Sequence, residues 1–144
     1  MFAEKQTIPF NTFVVKVASR CNLNCSYCYM YNLADHTYRH QPAVMTDEVT
    51  LAMAKRIADH ARRHEVTSVH IILHGGEPLL IGKKRLRSWV KQIREELNGS
   101  TRVAFSIQSN GVLIDNDWIG LLAELHVRIG ISVDGPQSFQ TNTG

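Results

Sequence analysis

The chain has 144 residues, the length of one ordinary domain. With 44% apolar and 20% charged residues it has a globular composition, neither disordered nor fibrous. The formal charge of +3 is mild, and the densest basic cluster, KKRLR at 83–87, falls where a helix begins, so it reads as a solvated helix face and not as a nucleic-acid groove.

FVVKV at 13–17 is a short β-branched run and predicts a strand. CNLNCSYCY at 21–29 follows at once and is a loop leaving it. Residues 29–45 are polar, rich in Tyr and His, and predict irregular structure. Thr46 then caps a helix whose first turn holds Asp47 and Glu48, with Val49, Met53 and Ile57 as its buried face. VHIILHGGEP at 69–78 is a second strand running into glycines. Leu86, Trp89, Val90, Ile93 and Leu97 fall at helical spacing, stopped by Asn98 and Gly99. VAFSI at 103–107 is a third strand ending in QSNG. Asp115 opens a third helix through Trp118, Ile119, Leu122 and Leu125, and VRIGISV at 127–133 is a fourth strand ending in DGP.

Alternating strand and helix predicts a parallel sheet with helical crossovers. Each unusual motif stands just past the C-terminal end of a strand, where parallel α/β sheets bind ligands. The fold class expected is α/β: the N-terminal portion of a partial (β/α)6 TIM-like barrel, about four parallel strands with crossover helices. Six barrel units would need about 190 residues at about 31 per unit, so residues 1–144 read as an interrupted core with an exposed edge at the fourth strand. No apolar stretch approaches a membrane span, and MFAEKQTIPF lacks the build of a signal peptide. Three cysteines cannot pair among themselves. The expectation is a cytoplasmic protein with no membrane or nucleic-acid partner.

Cys21, Cys25 and Cys28 are the only cysteines. One reading is a zinc site completed by a histidine such as His36 or His40, since closed zinc sites take four ligands. The other is a [4Fe–4S] cluster, which thiolates hold, usually four. With three, one iron keeps an open position where a ligand can bind and react.

CxxxCxxC with an aromatic before the last cysteine, here Tyr27, resembles the signature of radical S-adenosylmethionine enzymes, and the likeness runs from Phe13 to Pro136. It implies that Cys21, Cys25 and Cys28 ligate a [4Fe–4S] cluster. It further implies that the open iron is chelated by the amino and carboxylate groups of S-adenosylmethionine, and that a 5′-deoxyadenosyl radical abstracts hydrogen from a substrate. Tyr27 would lie near the adenine; as a plain packing aromatic it is equally understandable.

Glycines let backbone approach a ligand, so Gly75 and Gly76 can expose carbonyls, with Glu77 as a carboxylate acceptor and Pro78 restricting the turn; together they suit an ammonium group. The resemblance gives GGEP the methionine amino group. His74 departs from the Gln common in sulfatase-maturing relatives and reads as a strand end. Gln108 and Asn110 at the third strand tip, and Ser132 and Asp134 at the fourth, offer groups suited to ribose hydroxyls, although NG and DG are also ordinary turn dipeptides. The resemblance assigns these two ends to the ribose and methionine moieties.

The flanking residues resemble SPASM-type peptide maturases, closest to FxsB-type cyclophane-forming maturases and next to anaerobic sulfatase maturases. The implied substrate is a ribosomally made precursor peptide or a protein, with a reductant such as flavodoxin or ferredoxin. No cysteine follows Cys28, so the auxiliary-cluster domain of the SPASM group is not expected within this chain. A non-catalytic iron–sulfur or metal-binding module is the alternative.

Overall fold

The computed structural model describes residues 9–99 and 101–133. Strands β1 (Thr12–Ala18), β2 (Ser68–Gly75), β3 (Arg102–Ser109) and β4 (Val127–Ile131) form one sheet in the order β1-β2-β3-β4, with every pairing parallel. Helices α1 (Asp47–Arg63), α2 (Lys83–Glu96) and α3 (Asn116–Glu124) supply the three crossovers. A partial α/β barrel core is therefore what the chain forms.

Alternation along the strands sorts their faces. Val17, Val69, Ile71, Leu73, Phe105 and Ile107 are buried with the helices, while Lys16, His70, His74 and Gln108 occupy the alternate positions that stay partly or fully exposed. Trp89 of α2 is buried in that core and donates from Nε1 to Asp47 Oδ1 at 2.7 Å, joining α2 to the start of α1. The KKRLR run is largely solvated, as predicted, and also ion-pairs with its neighbours. Lys83 meets Asp115 at 2.8 Å, Arg85 meets Asp47 at 3.6 Å and Arg87 meets Glu124.

Two helix faces differ from expectation. The buried residues of α1 are Thr50, Ala54, Ile57, Ala58 and Ala61, while Val49 is 53% exposed and Met53 is half-buried at the rim. Positions 50, 54, 57, 58 and 61 share one face of the helix, which leaves 49 and 53 at its edge. In α3 Leu121 takes the buried position and Ile119 is 57% exposed, because 118, 121, 122 and 125 share one face and 119 does not. Strand β4 ends at Ile131, two residues short of the predicted end. The irregular 29–45 segment contains a 3-10 turn at Thr37–His40.

The caps follow prediction. Thr46 accepts from the Val49 N–H and Asp115 from the Trp118 N–H. Thr46→Ala should therefore lower stability by about 1 kcal/mol, read as a reduced urea midpoint at unchanged slope.

Candidate functional site at the C-terminal strand ends

The cysteine loop leaves β1 through an irregularity. The β1–β2 register shifts between Lys16 and Ala18, as bulges beside ligand sites commonly do. The chain returns at 42–45 to close the loop's base: the Ser19 N–H donates to Ala43 O at 2.9 Å, and the Met45 N–H to Val17 O at 2.9 Å. Arg20 stitches the far side, its guanidinium donating to Tyr38 O at 2.6 Å, Arg39 O at 3.3 Å and Gln41 O at 3.4 Å. A long polar loop is thus held by backbone carbonyls and one fork-shaped side chain.

The glycine turn after β2 lies directly against this loop. The Gly76 N–H donates to Ala18 O at 3.0 Å and the Glu77 N–H to Arg20 O at 2.9 Å. Gly75 has φ +146°, and a Cβ there would overlap the Ala18 carbonyl oxygen; at Gly76 a Cβ would overlap the Arg20 carbonyl oxygen and the Tyr31 hydroxyl. Close approach between two backbones therefore accounts for both glycines.

Glu77 is 0% exposed. Its Oε1 accepts from Leu79 N at 3.0 Å and Ser109 Oγ at 2.9 Å, and its Oε2 accepts from Asn110 N at 2.9 Å. The side chain braces three segments from inside; Gly75 is buried as well, and Gly76 is partly exposed. Pro78 is buried at the start of the 3-10 turn Pro78–Ile81. His74 is half-buried and pairs in register with Lys16.

At the third and fourth strand ends Gln108 Nε2 donates to Ser132 Oγ at 2.9 Å, and the Ser132 N–H donates to Ser109 O at 2.9 Å. Asn110 points the other way, toward the cysteines. Its Nδ2 donates to Asn22 Oδ1 at 2.9 Å and Cys21 Sγ at 3.7 Å. Asp134 lies outside the described residues.

All three cysteines are free thiols and half-buried. The Cys28 N–H donates to Cys25 O at 2.9 Å, and Asn32 Nδ2 bonds Cys25 O at 2.5 Å, so the second half of the loop is tightly wound. The Leu23 N–H reaches Cys21 Sγ at 3.4 Å. Tyr27 is 58% exposed, so it is not a core-packing ring.

Sequence reasoning missed Tyr31. Its hydroxyl is buried and, among the described residues, has no hydrogen-bond partner. Burial first, then the nearby Cys21 and Cys28, raise its pKa to about 12, so it remains a donor. A buried orphan donor costs about 1–3 kcal/mol until an acceptor arrives. Its position three residues after Cys28, one turn on, was the available signal.

Among the described residues no three His, Cys, Asp or Glu side chains converge on a point where one ion could be held. A single zinc would need its sulfurs about 3.8 Å apart, given zinc–sulfur bonds of about 2.3 Å. A four-iron cube is wider. Three free thiols on one loop, N–H donors at Cys21 Sγ and an orphaned hydroxyl beside the glycine turn fit the donor needs of such a cluster.

Among relatives, the chain is 32% identical over 129 residues to a cysteine-type anaerobic sulfatase-maturating enzyme of Clostridium perfringens, covering 90% of this chain and 34% of that one. It is 31% identical over 132 residues to a serine-type enzyme of Bacteroides thetaiotaomicron, covering 91% and 31%. The solved structure of native anSMEcpe with bound AdoMet and Cp18Cys peptide superposes with a TM-score of 0.71 at 30% identity, over 88% of this chain and 32% of that chain. The chain spans about a third of the length of these relatives. Its likeness to the anaerobic sulfatase maturases is thus close. Residues 15–142 match the radical SAM superfamily, a stretch that takes in the cysteine loop and every later element; the chain belongs to that superfamily, whose cofactors are a [4Fe–4S] cluster and S-adenosylmethionine.

Proposed function

We propose that residues 1–144 are the N-terminal part of the radical S-adenosylmethionine core of a peptide- or protein-modifying enzyme, with side-chain crosslinking of a ribosomally made peptide, as in FxsB-type SPASM maturases, as its reaction. Cys21, Cys25 and Cys28 would hold the cluster. When bound, the cluster and S-adenosylmethionine supply reductive cleavage of the sulfonium and a 5′-deoxyadenosyl radical that takes a hydrogen atom from the substrate.

The chain's own residues would do the rest. The backbone of Gly75 and Gly76 would receive the methionine ammonium, with Glu77 and Pro78 setting the turn behind it. Tyr27, exposed on the loop, would cover the adenine. Gln108 and Ser132, bonded to each other, would meet the ribose, with Asp134 as a further candidate, while Asn110 would stand between them and the cysteine loop. The observation that supports this reading is the direct backbone contact between the glycine turn and the start of the cysteine loop.

The same proposal includes a precursor peptide or protein as partner, a flavodoxin or ferredoxin type of reductant, and a cytoplasmic setting. No helix among the described residues is long and apolar enough to cross a membrane. A second reading, a cluster-binding module without turnover, draws on β4, where Ile131 is 45% exposed on a strand that pairs with β3 alone among the described residues.

Anaerobic loading with iron and sulfide, followed by dithionite and S-adenosylmethionine, separates them. Production of 5′-deoxyadenosine is the expected result. A loaded cluster without it favours the second reading, and a chain that takes up one zinc and no cluster sinks both.

A further inference from the structure

Asn110 closes a turn with its side-chain oxygen: Oδ1 accepts from the Val112 N–H at 3.0 Å. An aspartate would close that turn equally well. What the turn does not require is the amide nitrogen. That nitrogen, Nδ2, donates to Asn22 Oδ1 at 2.9 Å and to Cys21 Sγ at 3.7 Å. The residue is fixed from behind by its own N–H, which donates to Glu77 Oε2 at 2.9 Å. Glu77 is fully buried, and its other oxygen is held by Leu79 N and Ser109 Oγ, so it has little freedom to move. Ser109 Oγ in turn accepts from Gly111 N at 3.0 Å, on the far side of Asn110. A buried, fully bonded carboxyl therefore sets where one asparagine amide points, and it points at a sulfur.

We propose that Asn110 is a hydrogen-bond donor to the Cys21 sulfur of the bound cluster, that Glu77 is its positioning residue, and that this bond raises the reduction potential of the cluster. The inference rests on the cluster reading above and assigns Asn110 to the metal side of the site and not to the ribose. Hydrogen bonds to cluster sulfurs withdraw electron density and favour the reduced, more negatively charged state. Removing the donor should make the one-electron couple more negative.

The test is an anaerobic redox titration of the loaded full chain with dithionite, in the absence of S-adenosylmethionine, followed by electron paramagnetic resonance. Iron and sulfide are counted in each sample. Asn110→Leu is expected to keep the wild-type iron content and to shift the midpoint to a more negative potential. Glu77→Gln puts an N–H2 where an oxygen accepted but also removes a buried negative charge, which acts toward a more positive potential, so it is read as a background and not by the sign of its own shift. Asn110→Leu made on top of Glu77→Gln should shift the midpoint less than it does in the wild type, because both changes act on one bond. Should Asn110→Leu fail to load, Asn110→Ser is read by the same criterion, since its hydroxyl can serve the turn but is too short to reach the sulfur. A loaded Asn110 variant with the wild-type midpoint overturns this inference alone. A wild-type chain that takes up no cluster overturns it together with the proposed function.

Discussion

Replacing Cys25 by Ala is expected to abolish cluster binding while leaving the fold almost untouched. Three thiolates are already one fewer than such clusters usually take, and no further cysteine exists in the chain to substitute. The same holds for Cys21 and Cys28. All three are half-buried on a loop and absent from the hydrophobic core, where Val17, Ile71, Phe105 and Trp89 do the packing. Loss of a sulfur there should change stability by no more than about 0.5 kcal/mol, as for other substitutions away from packed sites. Iron and sulfide content should fall to background, 5′-deoxyadenosine should disappear, and the urea midpoint should stay. A Cys25→Ala chain that still holds wild-type iron would show that the metal sits elsewhere. A collapsed urea midpoint would show that the loop is part of the core.

Gly76→Ala should do the reverse and damage the fold at the site. The added methyl meets the Arg20 carbonyl oxygen and the Tyr31 hydroxyl, and the first of these is backbone that cannot rotate away. Relief requires parting the glycine turn from the cysteine loop, which breaks the bonds from Gly76 N to Ala18 O and from Glu77 N to Arg20 O. A cost of about 3 kcal/mol is expected, at the upper end for overpacking a tight site. Gly120 in α3 is the control: nothing lies within 4 Å of its added Cβ, and alanine in a helix should gain about 1 kcal/mol. The two variants therefore move in opposite directions in one urea series. Equal midpoints for Gly76→Ala and wild type would mean that the two backbones are not in contact.

The strand–helix alternation and the helix caps were legible because each depends on residues within one or two turns of one another. Thr46 reaches Val49 and Asp115 reaches Trp118 across three positions. The buried face of α2 was read correctly, since its large residues and its periodicity agree. For α1 they conflict: Val49 and Met53 are large and apolar, yet Thr50, Ala54, Ala58 and Ala61 are the residues buried with Ile57, and packing against α2 decides between the two faces.

At the site, the sequence alone determined which segments stand at the C-terminal strand ends, because that follows from strand position and parallel order; Gly75 itself is the last position of β2, and Gln108 lies near the end of β3. The sequence did not determine what the residues there touch. Asn110 and Glu77 are 33 positions apart, and Asn110 and Cys21 are 89 apart; these partners meet only when β1, β2 and β3 lie side by side. Whether a carboxyl faces a ligand or braces the interior, and whether a glycine makes room for a ligand or for another strand's carbonyl, depends on such long-range neighbours. Local pattern carries no term for them, and the tertiary structure supplied it.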